Sequence, residues 1–386
     1  MKASRVTLEQ VASPDNLREA FLRAAKGKVD RPDVVEFRAA LPENLARMRE
    51  EILGGTMRLG RFTSFTIWEP KERQINAPAF PERVLHHALI RVCEADFERW
   101  SVFDSYACRR GKGREAAIRR AESFARKHPF FLKMDVRKYF DSIPHEVLLG
   151  KIRKRFHDRG LVSLWEKIVR SYETVPGRGL PIGALTSQHM ANFYLGCIDN
   201  RVLSKLRLPG YVRYMDDMVA WGTREELRSA RRDIESVLNN ELGLELKGNW
   251  HLQPVHRGMD FLGYRVYPGC STLNKASCRR FVSKWEDIER GLETGRLTQL
   301  QAQRSMLPLA AFVRVARRER IMDRLFGFRA ASIGLQPRQP GRQLEQQRVE
   351  LPVGLPEQQR PVQPQQQPRF PPCPQLTQTA WTRRTD

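Results

Sequence analysis

Two adjacent carboxylates, Asp216 and Asp217, are the residues of this sequence best suited to metal chemistry. They lie between two short apolar runs, residues 211–212 and 218–221, and this pattern predicts the tip of a β-hairpin. Two neighbouring negative charges repel each other unless cations neutralise them. The alternative is a solvated Asp-Asp turn without a chemical role, and the pair alone does not decide between the two.

A third carboxylate, Asp135, follows the apolar run of residues 130–134. Two divalent ions held about 3.5–4 Å apart need several bridging oxygens, and Asp135 would supply an additional carboxylate. The alternative is an isolated aspartate that caps the segment after a strand. We expect a strand over residues 135–140 and a helix from about Pro144 to Phe156.

A third motif, GLPIGALTSQ at residues 179–188, lies between these carboxylates in the sequence. In this order the three motifs resemble those of reverse transcriptases, over about residues 40–330. Most retroviral and intron-encoded members have Gln and Pro where this chain has Ile182 and Gln188. The Ile-Gly and Ser-Gln pairs found here resemble the reverse transcriptases of diversity-generating retroelements. Three further stretches fit that branch, residues 86–89, 105–113 and 259–264.

This resemblance implies an α+β fold, a right-hand polymerase with inserted fingers, an antiparallel-sheet palm and a helical thumb. The expected parts are an N-terminal helical extension (1–56), fingers (57–134), a palm with inserted finger elements (135–268), a helical thumb (269–334) and a disordered Gln/Pro-rich tail (335–386). The tail is expected to be disordered because it has too little apolar surface to offset its chain entropy.

The implied activity is RNA-directed DNA synthesis with two Mg²⁺ ions. Asp135 and Asp216 are the expected metal ligands, with the Val136 carbonyl as an extra oxygen. Asp217 completes the expected catalytic set and is expected to support its geometry rather than bridge both ions. Lys247 lies closer to its strand than the lysine that many family members use as a general acid. An exposed lysine at the end of a strand is therefore the favoured interpretation.

The resemblance also implies a nucleotide-binding set: Lys71, Arg73, Phe140, Ile182, Gly183 and Gln188. The two basic residues would hold the triphosphate of the incoming nucleotide, although a charged, solvated turn is an alternative. An aromatic ring at position 140 would exclude a ribose 2′ hydroxyl, unless it is an ordinary apolar residue behind the strand. Tyr139 is adjacent, and one of the two must face the core. Ile182 replaces an amide that contacts the nucleotide in other branches, and the resemblance implies error-prone copying opposite template adenines.

The net charge of +23 favours a polyanionic partner. The segment from Leu335 holds seven Arg against three Glu and one Asp, so most of the excess belongs to the rest of the chain. Charge alone fits a ribosomal or membrane-surface protein equally well, but the motifs favour nucleic acid. The expected partners are a template RNA, an RNA/DNA hybrid and dNTP substrates. A small basic accessory protein is implied by the resemblance only.

The six cysteines show no Cys-x-x-Cys pair and no spacing typical of zinc sites. Residues 1–7 show no apolar segment of signal-peptide length, and the sequence has no run of about 18 or more apolar residues. These features predict a cytoplasmic protein with reduced thiols and no membrane partner.

Two alternatives remain open. The first is an intron-encoded or defence-associated reverse transcriptase, of the retron or abortive-infection type. The second is an RNA-binding scaffold that has lost catalysis, against which the intact Asp135, Asp216 and Asp217 argue.

Overall fold

The computed structural model describes residues 3–68 and 72–316. Its N-terminal part contains five helices: α1 (Leu8–Val11), α2 (Pro14–Ala25), α3 (Pro32–Ala39), α4 (Leu41–Leu53) and α5 (Phe80–Trp100). The side chain of Ser13 accepts a hydrogen bond from the Asn16 amide and so begins α2. The rings of Phe21, Phe37 and Phe80 pack together with centroids 5.3–6.0 Å apart and join α2, α3 and α5.

A two-stranded antiparallel hairpin precedes α5, with β1 (Phe62–Ile67) paired to β2 (Arg73–Pro78). The hairpin was expected from its β-branched and aromatic residues. The hairpin contacts the rest of the chain through Phe62, whose ring centroid lies 5.6 Å from that of Tyr172. The expected triphosphate ligand Lys71 lies outside the described residues.

Four antiparallel strands form the central sheet: β3 (Phe130–Asp135), β4 (Gly210–Tyr214), β5 (Asp217–Gly222) and β6 (His251–Pro254). They lie in the order β4-β5-β3-β6. β5 is buried along most of its length because its apolar run, residues 218–221, pairs with β3 on one side and β4 on the other. The expected α+β class with antiparallel sheets is confirmed.

The prediction of a strand over residues 135–140 is wrong. β3 ends at Asp135, and Lys138 has a φ of 44°, in the left-handed region that interrupts an extended strand. The chain then forms a short helix, α7 (Tyr139–Ser142). The helix predicted from Pro144 begins one residue later, as α8 (His145–Arg153).

Five further helices complete the described part of the chain before residue 250. They are α6 (Arg114–Lys127), α9 (Arg159–Arg170), α10 (Leu185–Tyr194), α11 (Gly196–Asn200) and α12 (Arg224–Glu241), with a π-helical turn at Arg201–Lys205. Helices α6 and α12 pack on the central sheet, and α10 packs on α5. Helix α12 begins with a capping box, in which Thr223 and Glu226 satisfy each other's backbone amides. One continuous core includes the fully buried side chains of Trp165, Tyr194 and Tyr211.

A three-stranded antiparallel sheet follows, in the order β7 (Met259–Phe261), β8 (Tyr264–Tyr267) and β9 (Cys270–Leu273). Helices α13 (Lys275–Glu293) and α14 (Gln299–Val315) come next, where two or three helices were expected. The chain divides after Glu286 into two compact units. In the second unit, Asp287 pairs with Arg296 at 2.8 Å.

The finer domain boundaries remain predictions, and the tail (335–386) lies outside the described residues. Within residues 3–68 and 72–316, no helix combines the length and apolar character needed to cross a bilayer. Within these residues, Cys93, Cys108, Cys197 and Cys278 form no disulfide.

Candidate active site

The register of the central sheet brings the three predicted carboxylates to one end. Asp135 is the cross-strand partner of Asp217 in the β3–β5 ladder. Tyr214 pairs with Asp217 in the β4–β5 ladder, so Met215 and Asp216 form a two-residue turn. The three carboxylates therefore meet at the end of β3, at the start of β5 and in the turn before β5. In the sequence, Asp135 lies about eighty residues before the other two.

Met215, at the first position of this turn, has a φ of 57°. A non-glycine residue in the left-handed region is strained by about 1–2 kcal/mol and needs support from its surroundings. Arg213 provides that support, because its Nη1 donates to the Met215 carbonyl oxygen at 3.0 Å. The orientation of the Asp216 turn thus depends on a guanidinium beneath it.

Arg213 is 1% exposed and forms part of a buried network. Its Nε and Nη2 donate to the two carboxylate oxygens of Asp199, each at 2.6 Å, and its Nη1 donates to Asn192 Oδ1 at 2.7 Å. Tyr211 donates its hydroxyl to the same Asp199 at 2.9 Å. Sequence analysis missed this network. The signal was an arginine inside the apolar strand β4, where a charged residue requires a buried partner.

Two lysines contact the carboxylates. Lys133 Nζ lies 3.4 Å from Asp217 Oδ2, and Lys247 Nζ donates a hydrogen bond to Asp135 Oδ2. The Lys247 amide also donates to the Asp135 carbonyl at 2.9 Å. The favoured interpretation of Lys247 as an exposed strand-end residue is therefore wrong, because a backbone bridge between Val136 and Leu246 brings it to Asp135.

The electrostatics of the cluster favour added positive charge. Burial, followed by the charge of Asp135, raises the pKa of Asp216. Burial raises the pKa of Asp217 to about 6, although Lys133 opposes this shift. One buried oxygen of Asp135 and one of Asp217 accept no hydrogen bond. Crowded carboxylates with unsatisfied oxygens are a donor set that suits a divalent cation.

Within the described residues, no group of three or more His, Cys, Asp or Glu side chains is already arranged as a metal cage. The lysine contacts supply part of the positive charge instead. Val136 follows Asp135 in the chain. The backbone hydrogen bonds to residues 245–247 are made by the Asp135 carbonyl and the Arg137 amide.

Phe140 and its neighbour Tyr139 have different environments. Tyr139 is buried and donates its hydroxyl to the Ala191 carbonyl, whereas Phe140 is only partly buried. Of the two, Tyr139 is thus the one that faces the core. The Phe140 carbonyl accepts from the Leu180 amide at 2.8 Å, which joins this segment to the 179–188 motif.

That motif also contacts the hairpin. The Ile182 carbonyl accepts a hydrogen bond from the Asn76 amide of β2 at 2.7 Å. Gly183 has a φ of 119°, and a Cβ there would lie 2.8 Å from Ile75 Cγ2, so only glycine permits this approach. Gln188 Oε1 accepts from Cys108 Sγ at 3.4 Å. Arg73 is exposed on β2, and within the described residues no contact joins it to the carboxylates.

Comparison with known proteins gives matches of three kinds. The sequence model described as "Reverse transcriptase (RNA-dependent DNA polymerase)" matches residues 70–266. Protein YkfC of Escherichia coli K12 is 24% identical over 315 residues, which is 67% of this chain and 82% of that protein. The Saccharomyces cerevisiae protein described as "Putative COX1/OXI3 intron 2 protein" is 20% identical and matches 48% of this chain, which spans only 29% of that relative.

Among solved structures, telomerase from Candida albicans in complex with a fragment of telomeric RNA is similar to this chain. The match covers 71% of this chain and 55% of the telomerase chain. The sequence identity is 13% and the TM-score is 0.41, a likeness too weak to bear on the fold.

Proposed function

Because this chain belongs to the reverse transcriptase family of RNA-dependent DNA polymerases, we propose that it copies a template RNA into cDNA by two-metal nucleotidyl transfer. The observation that carries the mechanism is the sheet register, which brings Asp135, Asp216 and Asp217 to one end of an antiparallel sheet. In this proposal the central sheet is the palm of a right-hand polymerase, and the β1–β2 hairpin belongs to the fingers.

Asp135, Asp216 and the Val136 carbonyl would hold two Mg²⁺ ions. Bound Mg²⁺ would supply the positive charge that lowers the pKa of the primer 3′ hydroxyl and stabilises the leaving pyrophosphate. Asp217 maintains the geometry from the start of β5, where Lys133 balances its charge. Lys247 neutralises Asp135, and Arg213 orients the turn that carries Asp216.

The nucleotide would occupy the space next to the carboxylates. Phe140 would lie beneath its sugar, with Ile182 and Gly183 beside it and Gln188 at the start of α10. Support for this position comes from two backbone hydrogen bonds, from Leu180 to Phe140 and from Asn76 to Ile182, which join three separate stretches of the chain. Arg73, together with Lys71, would hold the triphosphate from the hairpin.

We further propose that the chain belongs to the diversity-generating branch, with a structured template RNA and a small basic accessory protein in the cytoplasm. The support is Ile182 together with the Ser187-Gln188 pair. An intron-encoded type is the second candidate, favoured by the intron proteins of Saccharomyces cerevisiae among the relatives.

Asp216→Asn tests the polymerase mechanism. We expect Mg²⁺-dependent primer extension on homopolymer RNA to fall by at least about a hundredfold, because the charge of one metal ligand is lost. RNA affinity should stay unchanged, since the basic surface does not depend on the carboxylate. The exposed Asp15→Asn is the matched control. Retained synthesis by Asp216→Asn contradicts the mechanism, and an inactive wild type favours the scaffold alternative.

Ile182→Gln tests the diversity-generating assignment. The variant restores an amide at the nucleotide site, so we expect fewer misincorporations opposite template adenines than in the wild type. The measurement is deep sequencing of cDNA from both proteins, with Ile182→Leu as an apolar control. A wild type without enrichment of errors at adenines would favour the intron-encoded type and leave the polymerase mechanism intact.

A further inference from the structure

An apolar groove lies in the N-terminal helical region, between the end of α2, the turn after it and α3. Its volume of about 520 Å³ is within the usual range for binding pockets, roughly 300–1,000 Å³. Phe21 and Val34 form a buried floor, while Leu22 and Val29 on the rim are 54% and 45% exposed. Large aliphatic side chains exposed around a concavity indicate an interaction site.

The charged residues that line this groove are all cations: Arg23, Lys26 and Arg38. No ion pair within the described residues engages any of the three. The pKa of nearby Lys28 is lowered chiefly by burial and then by the charges of Arg83 and Arg31, while the charge of Asp33 opposes this shift. Cations without partners around an apolar floor are complementary to a ligand that combines apolar and acidic groups.

We propose that this groove docks an acidic amphipathic helix of a partner protein. The apolar face of such a helix would cover Leu22 and Val29, and its carboxylates would pair with Arg23, Lys26 and Arg38. A nucleic acid fits less well, because exposed aliphatic side chains offer no stacking surface and the one aromatic ring, Phe21, is 4% exposed. A basic partner would meet like charge here, so the docked protein differs from the basic accessory protein proposed above.

The probe is a fluorescein-labelled helical peptide with leucines at positions i, i+3, i+4 and i+7 and glutamates beside them. Its binding to the full chain is followed by fluorescence anisotropy at physiological salt. Two altered peptides, one with Glu→Gln and one with Leu→Ser, test the acidic and apolar halves separately. Unlabelled oligouridine serves as a competitor for nucleic-acid binding.

Two double variants test the groove: Leu22→Ser with Val29→Ser, and Arg23→Gln with Arg38→Gln. Each should weaken peptide binding by roughly tenfold or more, because about 1.4 kcal/mol of apolar or ionic contact is lost. The controls are Val175→Ser and Arg228→Gln, exposed residues that lie outside the groove. All the substituted positions are exposed, so the variants should fold, and circular dichroism checks this.

Binding that requires both the leucines and the glutamates, and that only the groove variants weaken, supports the proposal. Three results overturn it: no saturable binding of the acidic peptide, equal loss in the control variants, or displacement of the peptide by oligouridine. Primer extension by the groove variants should equal that of the wild type. A failure of the polymerase proposal is therefore distinguishable from a failure of this one.

Discussion

Adjacent residues in this chain can have separate roles. Tyr139 and Phe140 share the four-residue helix α7, but the hydroxyl of the first is fixed by the Ala191 carbonyl while the ring of the second remains partly exposed. The left-handed backbone at Lys138 produces this division, because it turns the chain out of β3 just before the two rings. Of the two rings, that of Phe140 is the one left partly exposed, as its proposed position beneath the nucleotide sugar requires.

Phe140→Ala should raise the ratio of ribonucleotide to deoxynucleotide incorporation by about tenfold or more, because removal of the ring makes room for a 2′ hydroxyl. Single-nucleotide primer extension with each substrate measures the ratio. Phe140→Tyr, which keeps the ring, is the control and should discriminate as the wild type does. An unchanged ratio in Phe140→Ala contradicts the steric role.

Lys247 shows where spacing along the sequence is a poor guide. Lys247 follows residues 244–246 directly, and this position is closer to the predicted strand than that of the general-acid lysine in many family members. The spacing therefore argued against a role at the site. The bridge between Val136 and Leu246, with the hydrogen bond from the Lys247 amide to the Asp135 carbonyl, nevertheless brings its ammonium group to Asp135. The contact depends on pairing between segments about 110 residues apart, which local sequence does not encode.

At the scale of elements, β4 and β5 hold a strained turn over a buried guanidinium. Arg213→Lys should lower the rate of primer extension and raise the Mg²⁺ concentration for half-maximal rate, because lysine cannot bind Asp199, Asn192 and the Met215 carbonyl at once. A residue that only stabilised the fold would lower the melting temperature without changing the Mg²⁺ requirement.

A second substitution separates these explanations. Glycine adopts positive φ freely, so Met215→Gly added to Arg213→Lys should restore about 1 kcal/mol, or roughly fivefold in rate. Met215→Ala removes nearly the same side chain but leaves the strain, so it is the matched control. Equal rates for the glycine and alanine double variants would contradict the positioning role of Arg213.

Local pattern predicted most elements near the site. The apolar run before Asp135 formed β3, the Asp-Asp pair formed a hairpin tip, and residues 61–79 formed the β1–β2 hairpin. The predicted strand extended too far beyond Asp135, because the neighbouring sequence gives no sign that Lys138 has a left-handed backbone conformation. The Arg213–Asp199 pair was unpredictable for another reason: it depends on how α11 packs against β4, which is a property of the tertiary structure.

At the scale of the whole molecule, acid stability should depend on a buried contact between α5 and α10. His86 is 2% exposed, its Nδ1 lies 3.5 Å from Thr186 Oγ1, and burial lowers its pKa to about 3. The unfolded chain binds this proton with a pKa near 6.5. The contribution of His86 to the free energy of unfolding is therefore complete above about pH 6.5. It is lost as the pH falls, by about 2 kcal/mol at pH 5.

His86→Gln should remove this loss, so its unfolding free energy should change less between pH 7.5 and pH 5 than that of the wild type. Urea unfolding at both values measures the difference, with the exposed His251→Gln as control. Burial raises the pKa of Glu82, whose Oε1 lies 3.6 Å from His86 Nε2, and this carboxyl acts in the opposite direction to His86. An equal pH response in His86→Gln and wild type contradicts the prediction.

The pairing of Asp135 with Asp217 limits how the length of this chain can evolve. Side chains alternate between the two faces of a strand, so one inserted or deleted residue in β3 or β5 turns a carboxylate to the opposite face. The connection between α8 and α9 carries no such constraint, since it holds none of the residues placed at the site. Relatives can thus vary in length there and keep the carboxylates in register, whereas a single-codon indel inside either strand would turn a carboxylate away from the cluster.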